Sequence, residues 1–207
     1  LDAYVYVDGF NLYYGCLKGT AFRWLDLNKL CSFLLPNAQV KHIHYFTARV
    51  SARPNDPQQP VRQETYLRAL QTLPNVSLTF GRYLTKPTRM ALSNPPKGAP
   101  QTVEVIKTEE KGSDVNIATQ MLVDGFQSKY DLAVVISNDS DLMSPVQAVR
   151  NVLGLPVGIL NPYKHPARDL LSAATFIKPI RQGVLAASQF PNTLTDSNGT
   201  FTRPLGW

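Results

Sequence analysis

Four aspartates in this chain are spaced as if for one task. Asp139 and Asp141 stand one residue apart in Ser137-Asn138-Asp139-Ser140-Asp141, directly after the apolar, β-branched run 131–136. Asp8 ends a similar run, Ala3-Tyr4-Val5-Tyr6-Val7, and Asp114 precedes an amphipathic stretch. Carboxylates brought together repel one another, and burying such a group is unfavourable unless a cation neutralises it. A shared location therefore points to a metal or phosphate site. The competing reading is helix capping, since Ser, Asn and Asp satisfy the free N–H groups of a first turn. One carboxylate explains a cap; the pair Asp139 and Asp141 exceeds that need.

The elements needed to position these groups can be read from the pattern. Unbroken apolar runs of this kind are strands buried on both faces, as in a parallel sheet. Leu142, Val146, Val149 and Leu153 form a helical stripe, which puts Asp139 and Asp141 where a strand ends and a helix begins. Ligands bind at that edge in open α/β sheets. If the strands ending at Asp8 and Ile136 are neighbours, about 4.8 Å apart, their acids meet. The helix expected over 115–126 leads into the strand at 131–136, so it starts at the same edge and delivers Asp114 there. Pro156 to Leu160 is a last central strand, followed by Tyr163, Lys164, His165 and Arg168 at the rim.

With 207 residues, 43% hydrophobic and 17% charged, the chain suits one globular domain with a sizeable core. No apolar run approaches the roughly 20 residues of a membrane span. The start, Leu1-Asp2-Ala3-Tyr4, lacks a basic segment before an apolar one, so no signal peptide is expected. Cys16 and Cys31 read as reduced thiols, and a cytoplasmic location is expected. The net charge of +6 favours a polyanionic partner. An acidic, metal-loaded pocket in a basic surround would suit a phosphodiester.

His42 and His44 share one face of a strand and, with His165 the remaining histidine, make a zinc site improbable. No Ser lies in a nucleophile-elbow pattern, so no Ser-His-Asp set is expected. Asp26 is expected to cap a helix that faces Leu27, Leu30, Phe33 and Leu34 inward. The helix expected over 115–126 has Ile117, Met121, Leu122 and Phe126 as its apolar residues. Residues 76–83 read as one strand, 102–107 as another, and 85–100, rich in Pro, Lys and Arg, as a long mobile basic loop. Residues 1–182 form the expected domain. Residues 183–207 should be an extended tail without helix, anchored by Phe190, Phe201 or Trp207.

At Asp8-Gly9-Phe10-Asn11, Lys111-Gly112-Ser113-Asp114-Val115 and Ser137-Asn138-Asp139-Ser140-Asp141 the chain resembles the NYN (LabA-like) branch of the PIN-like nucleases. The three motifs occur in the family's order and span roughly residues 3 to 162. The resemblance implies an α/β fold, a Rossmann-like three-layer α/β/α sandwich with a mainly parallel central sheet. It implies a Mg2+- or Mn2+-dependent endoribonuclease acting on RNA, usually single-stranded. Asp8, Asp114, Asp139 and Asp141 would be its metal-binding and catalytic acids, with Asn11 their companion. Lys107, Lys111, Lys164 and Arg168 are candidates for phosphate contact, and Phe10, Tyr13 and Tyr14 for base stacking or core packing. A homodimer is a further expectation. Two departures, Asn138 where the family commonly has Gly and Gln120 where relatives carry Asp, motivate an alternative: an RNA- or partner-binding module with a weak or inactive acid site.

Overall fold

The computed structural model describes residues 1–207. Its centre is a six-stranded parallel sheet in the order β3-β2-β1-β6-β7-β8. These strands are β1 (Asp2–Asp8), β2 (Gln39–Thr47), β3 (Val76–Phe80), β6 (Leu132–Ile136), β7 (Val157–Asn161) and β8 (Phe176–Pro179). The helices are α1 (Gly9–Leu12, continuing through a π turn at Tyr13–Leu17), α2 (Leu27–Leu34), α3 (Gln59–Gln71), α4 (Ser113–Phe126), α5 (Met143–Asn151), α6 (Arg168–Ala173) and α7 (Gln182–Ala187).

The apolar runs are explained by a sheet covered on both sides. Val5, Val7, Val134 and Ile136 face a core built with α2, α3 and α7. Tyr6, Ala133 and Val135 alternate to the opposite face and pack on Ile117, Met121, Val146 and Val149 of α4 and α5. Consecutive side chains of a strand point to opposite faces, so one strand feeds two cores and must be apolar throughout. The result is the three-layer α/β/α arrangement expected from the sequence.

Asp26 does cap α2, accepting the Asn28 and Lys29 N–H groups at 3.0 and 3.1 Å. Leu27, Leu30 and Leu34 are buried, but Phe33 is exposed, and so is Phe126 on α4. Phe33 was expected inside; it flanks the buried stripe of Leu27, Leu30 and Leu34. Phe126, about two and a half turns after buried Ile117, falls on the opposite face of its helix.

The segment 85–100 is not a long loop. Residues 76–83 split at Gly81, and β4 (Arg82–Ala91) pairs antiparallel with β5 (Thr102–Lys111) in a ribbon separate from the main sheet. The loop proper is the short stretch between them. Proline, lysine and arginine obscured the ribbon because both its strands are edges, where Pro87 loses no obligatory hydrogen bond. The stretch after residue 182 also differs from expectation: it holds α7 and a hairpin of β9 (Thr193–Asp196) and β10 (Gly199–Thr202). Trp24 anchors it, packing on Phe190 and Phe201 and donating its indole N–H to the Pro191 carbonyl at 2.8 Å. Arg68 adds a two-pronged pair with Asp196, both contacts 2.7 Å.

Candidate active site

The strand order reverses direction between β1 and β6. At such a switch point the connections leave to opposite faces and open a crevice beyond the carboxyl ends of the strands. Asp8 is the last residue of β1 and lies in that crevice, 6% exposed. One of its oxygens accepts the Asn11 N–H at 2.9 Å and the other the Ser137 hydroxyl at 3.3 Å. Capping and clustering are therefore not alternatives here; Asp8 does both.

Asp139 repeats the arrangement at the end of β6. Its carboxylate accepts the Asp141 N–H at 3.0 Å, and its own N–H donates to Ser137 Oγ at 3.1 Å. Fully buried Ser137 thus bridges the two acids. Asp114 arrives from the first turn of α4, which begins behind Gly112 at a φ of +107°. That left-handed residue turns the chain sharply from β5 into the helix.

These three carboxylates share one pocket of about 280 Å3. Burial first, and then the charges of Asp114 and Asp139, push the Asp8 carboxyl up to about 6 despite its stabilising hydrogen bonds. Asp114 is raised as well, by partial burial and then by Asp139, Glu110 and Asp141. In both, burial acts first and the neighbouring carboxylates add to it.

Other expected site residues fall elsewhere. Asp141 is exposed and does not line the pocket; its backbone N–H, rather than its carboxylate, serves Asp139. The fourth acid in the pocket is Glu110, which accepts the Ser113 hydroxyl at 3.0 Å. Ending the strand at Lys107 hid it; in a strand running to Lys111, Glu110 and Tyr83 are cross-strand partners at the pocket wall. Asn11, by contrast, lines the pocket, and its side-chain carbonyl accepts the Asn138 N–H at 2.8 Å. Asn138 in turn accepts the Ala167 N–H at 2.7 Å and donates to the His165 carbonyl at 3.1 Å. It has no positive φ, so an Asn is accommodated without backbone strain.

None of the four expected phosphate contacts lines the pocket. Lys107 and Lys111 both turn to Glu109, at 2.8 and 3.6 Å, while Lys164 and Arg168 lie exposed after β7. The wall is aromatic instead, with Phe10, Tyr14, Tyr83 and Tyr163.

No three His, Cys, Asp or Glu side chains stand close enough to grip one metal ion together. The donor set nonetheless fits a hard divalent ion of the Mg2+ type, which keeps several waters and takes one or two carboxylates plus substrate oxygens. Asp114, which makes no side-chain hydrogen bond to satisfy it, and Asp8, whose carboxyl is raised by burial and then by the charges of Asp114 and Asp139, are the groups such an ion would serve.

A second polar cluster went unseen in the sequence. Asp124, fully buried on α4, accepts from Tyr6, Gln120 and Lys129 at 3.0, 2.9 and 3.0 Å, and His44 Nε2 lies 3.1 Å away. Gln120 is thereby committed away from the acid pocket. His44 Nδ1 also meets Ser77 Oγ at 2.9 Å, which sets Ser77, His44 and Asp124 in a row, but Nε2 faces Asp124 without hydrogen-bond geometry, so the three are not linked as a chain. Burial and then His42 hold the His44 imidazole down at about 4, a poor general base at neutral pH, and Ser77 does not line the acid pocket. The cluster welds α4 to the sheet.

Comparison with known proteins agrees with this architecture. A crystal structure of a protein of unknown function from Vibrio parahaemolyticus, VPA0982, superposes with a TM-score of 0.55 at 18% identity, covering 87% of this chain and 93% of that one. That likeness is one of fold. The chain is 32% identical to 6-hydroxy-3-succinoylpyridine 3-monooxygenase HspA of Pseudomonas putida, over 98% of its own length and 74% of the relative's. The NYN domain model matches residues 2–185, and the chain belongs to the NYN domain family of PIN-like nucleases.

Proposed function

We propose that the protein is a Mg2+- or Mn2+-dependent endoribonuclease that hydrolyses single-stranded RNA at the Asp8–Asp114–Asp139 pocket. The observation that carries this reading is the meeting of three acids from separate parts of the chain in one crevice of an NYN fold. A divalent ion bound there lowers the pKa of a water and offsets charge developing on the phosphoryl oxygens. Asp8, Asp114 and Asp139 would hold it, directly or through water. Ser137 and Asn11 hold Asp8 and the Asp139 turn in register, and Glu110 orients Ser113 at the wall. Asp141, Lys164 and Arg168, outside the pocket, would meet the nucleic acid along the rim. Lys107 and Lys111 become available to phosphate when Glu109 releases them. The two free cysteines accord with a cytoplasmic location, and a homodimer belongs to the same proposal.

Cleavage of a labelled single-stranded RNA in Mn2+, abolished by EDTA and by Asp139→Asn with an unchanged thermal melt, is the expected result. Salt-sensitive binding of that RNA with no turnover in either metal would replace this reading with that of a binding module.

A second reading comes from the monooxygenase relative and from the pocket wall, aromatic and without lysine or arginine. Hydroxylation of a small heteroaromatic compound inserts one atom of dioxygen and needs two electrons to reduce the other to water. Oxygen uptake on adding 6-hydroxy-3-succinoylpyridine and NADH, absent without either, would establish it over hydrolysis.

A further inference from the structure

The β4–β5 ribbon stands apart from the main sheet, and its two faces differ in charge. In an antiparallel pair, residues directly opposite each other point to the same side, and successive residues alternate between sides. One face therefore starts with Tyr83 and Glu110 at the acid pocket and continues to the complementary pair Arg89 and Glu104. The other face sets Arg82 opposite Lys111 and Lys86 opposite Lys107. Glu109, opposite Leu84, is the one carboxylate on that face, and it meets Lys107 and Lys111 at 2.8 and 3.6 Å. Arg82 and Lys86 are exposed and form no ion pair.

The fold gains nothing from this arrangement. Like charges directly opposite on a sheet repel, and a two-stranded ribbon alone is marginally stable at best. Two such pairs on one face are a cost that an external anion would offset. That anion must be extended. The pairs stand four residues apart, roughly 13 Å at about 3.3 Å per residue, several times the ~3.4 Å between phosphates of one helical strand. A single phosphate cannot reach both pairs, whereas a polyanionic backbone can. A lipid surface offers the same charge, but the Arg82–Lys111 pair adjoins Tyr83 and Glu110 on the pocket wall, which ties these cations to whatever enters that pocket.

We propose that this face of the ribbon is an exosite for the phosphodiester backbone of an RNA strand whose cleaved segment lies in the acid pocket. The assignment rests on the nuclease reading of that pocket and adds Arg82 and Lys86 to the residues that meet RNA. Phosphate contacts position a strand and carry no sequence information, so the ribbon sets affinity and register rather than choice of sequence.

The experiment measures binding of a fluorescein-labelled oligouridylate of roughly 20 nucleotides to the whole chain by anisotropy, in EDTA and across a salt series. Arg82→Gln combined with Lys86→Gln should weaken binding about tenfold at low salt. It should also flatten the plot of log affinity against log salt by about 1.4, roughly 0.7 for each lost phosphate contact. Arg89→Gln, on the same strand but the opposite face, should bind within about twofold of the parent. The double variant removes like-charge repulsion and should melt no lower than the parent. An unchanged salt slope, a lowered melt, or Arg89→Gln losing as much as the double variant overturns the exosite. So does capture by phosphatidylserine vesicles that needs Arg82 and Lys86 while oligouridylate does not bind. Ribbon-dependent binding without hydrolysis in Mn2+ would sink the nuclease reading alone; hydrolysis with binding indifferent to Arg82 and Lys86 would sink the exosite alone.

Discussion

The side-chain carbonyl of Asn11 accepts the backbone N–H of Asn138 at 2.8 Å, tying the turn that leaves β1 to the turn that leaves β6. Asp8 and Asp139 sit on either side of this clasp. Asn11→Ala should cost about 1–2 kcal/mol, the loss of one hydrogen bond to a partly buried N–H. The larger effect should fall on turnover, since a misplacement of about 1 Å can cost roughly a hundredfold. A thermal melt beside RNA cleavage rates separates the two. Near-normal rates would show that the clasp does not position the acids.

Asp8 should make stability depend on pH, and on Mn2+ if the proposed ion binds. Its pKa is raised in the folded state, so folding holds the proton more tightly, and the associated stability is present at low pH. It is lost as pH rises through about 6. A rise from 3.8 to about 6 corresponds to roughly 3 kcal/mol. The melting temperature in EDTA should therefore fall between about pH 4 and 7, and Asp8→Asn should flatten that fall. Millimolar Mn2+ should recover most of it at pH 7 in the parent chain and little in Asp8→Asn. A metal-independent melting profile would argue against a cation between these acids.

His44 contributes with the opposite sign. Burial and His42 depress its pKa to about 4, so stability is present above its ordinary 6.5 and lost as pH falls toward 4. This component should not respond to Mn2+, which distinguishes it from that of Asp8. Asp124 is harder to remove. Burial would raise its pKa, but the Gln120, Lys129 and Tyr6 hydrogen bonds prevail and lower it. Asp124→Ala strands those donors and should cost about 3–5 kcal/mol, measured by denaturant unfolding.

Gly9 follows Asp8 directly, and a Cβ there would stand 2.8 Å from the Phe46 carbonyl and 2.7 Å from the Tyr45 hydroxyl. The backbone contact cannot yield cheaply. Gly9→Ala should cost about 1–3 kcal/mol, the usual range for overpacking, and displace Asp8. Calorimetry should register the loss, and cleavage should fall further than the melt alone explains.

Residue types along the chain determined the frame. The runs ending at Asp8 and Ile136 had to be central strands, because only a sheet covered on both faces buries every residue of such a run. The direction of α4 then followed, and with it the meeting of Asp8, Asp114 and Asp139. Periodicity along one element carries that information. Tertiary structure decided what depends on contacts between elements. The 102–107 strand was legible, but β4, the end of β5 and their pairing were not, because neither strand has a buried face to pattern it; that ribbon brings Glu110 and Tyr83 to the pocket. Ser137 as a bridge, Asn11 as a clasp and Gln120 drawn to Asp124 are likewise relations across space. Hydrogen bonds between distant residues leave no period in a sequence, so the location of the acids was legible and their support was not.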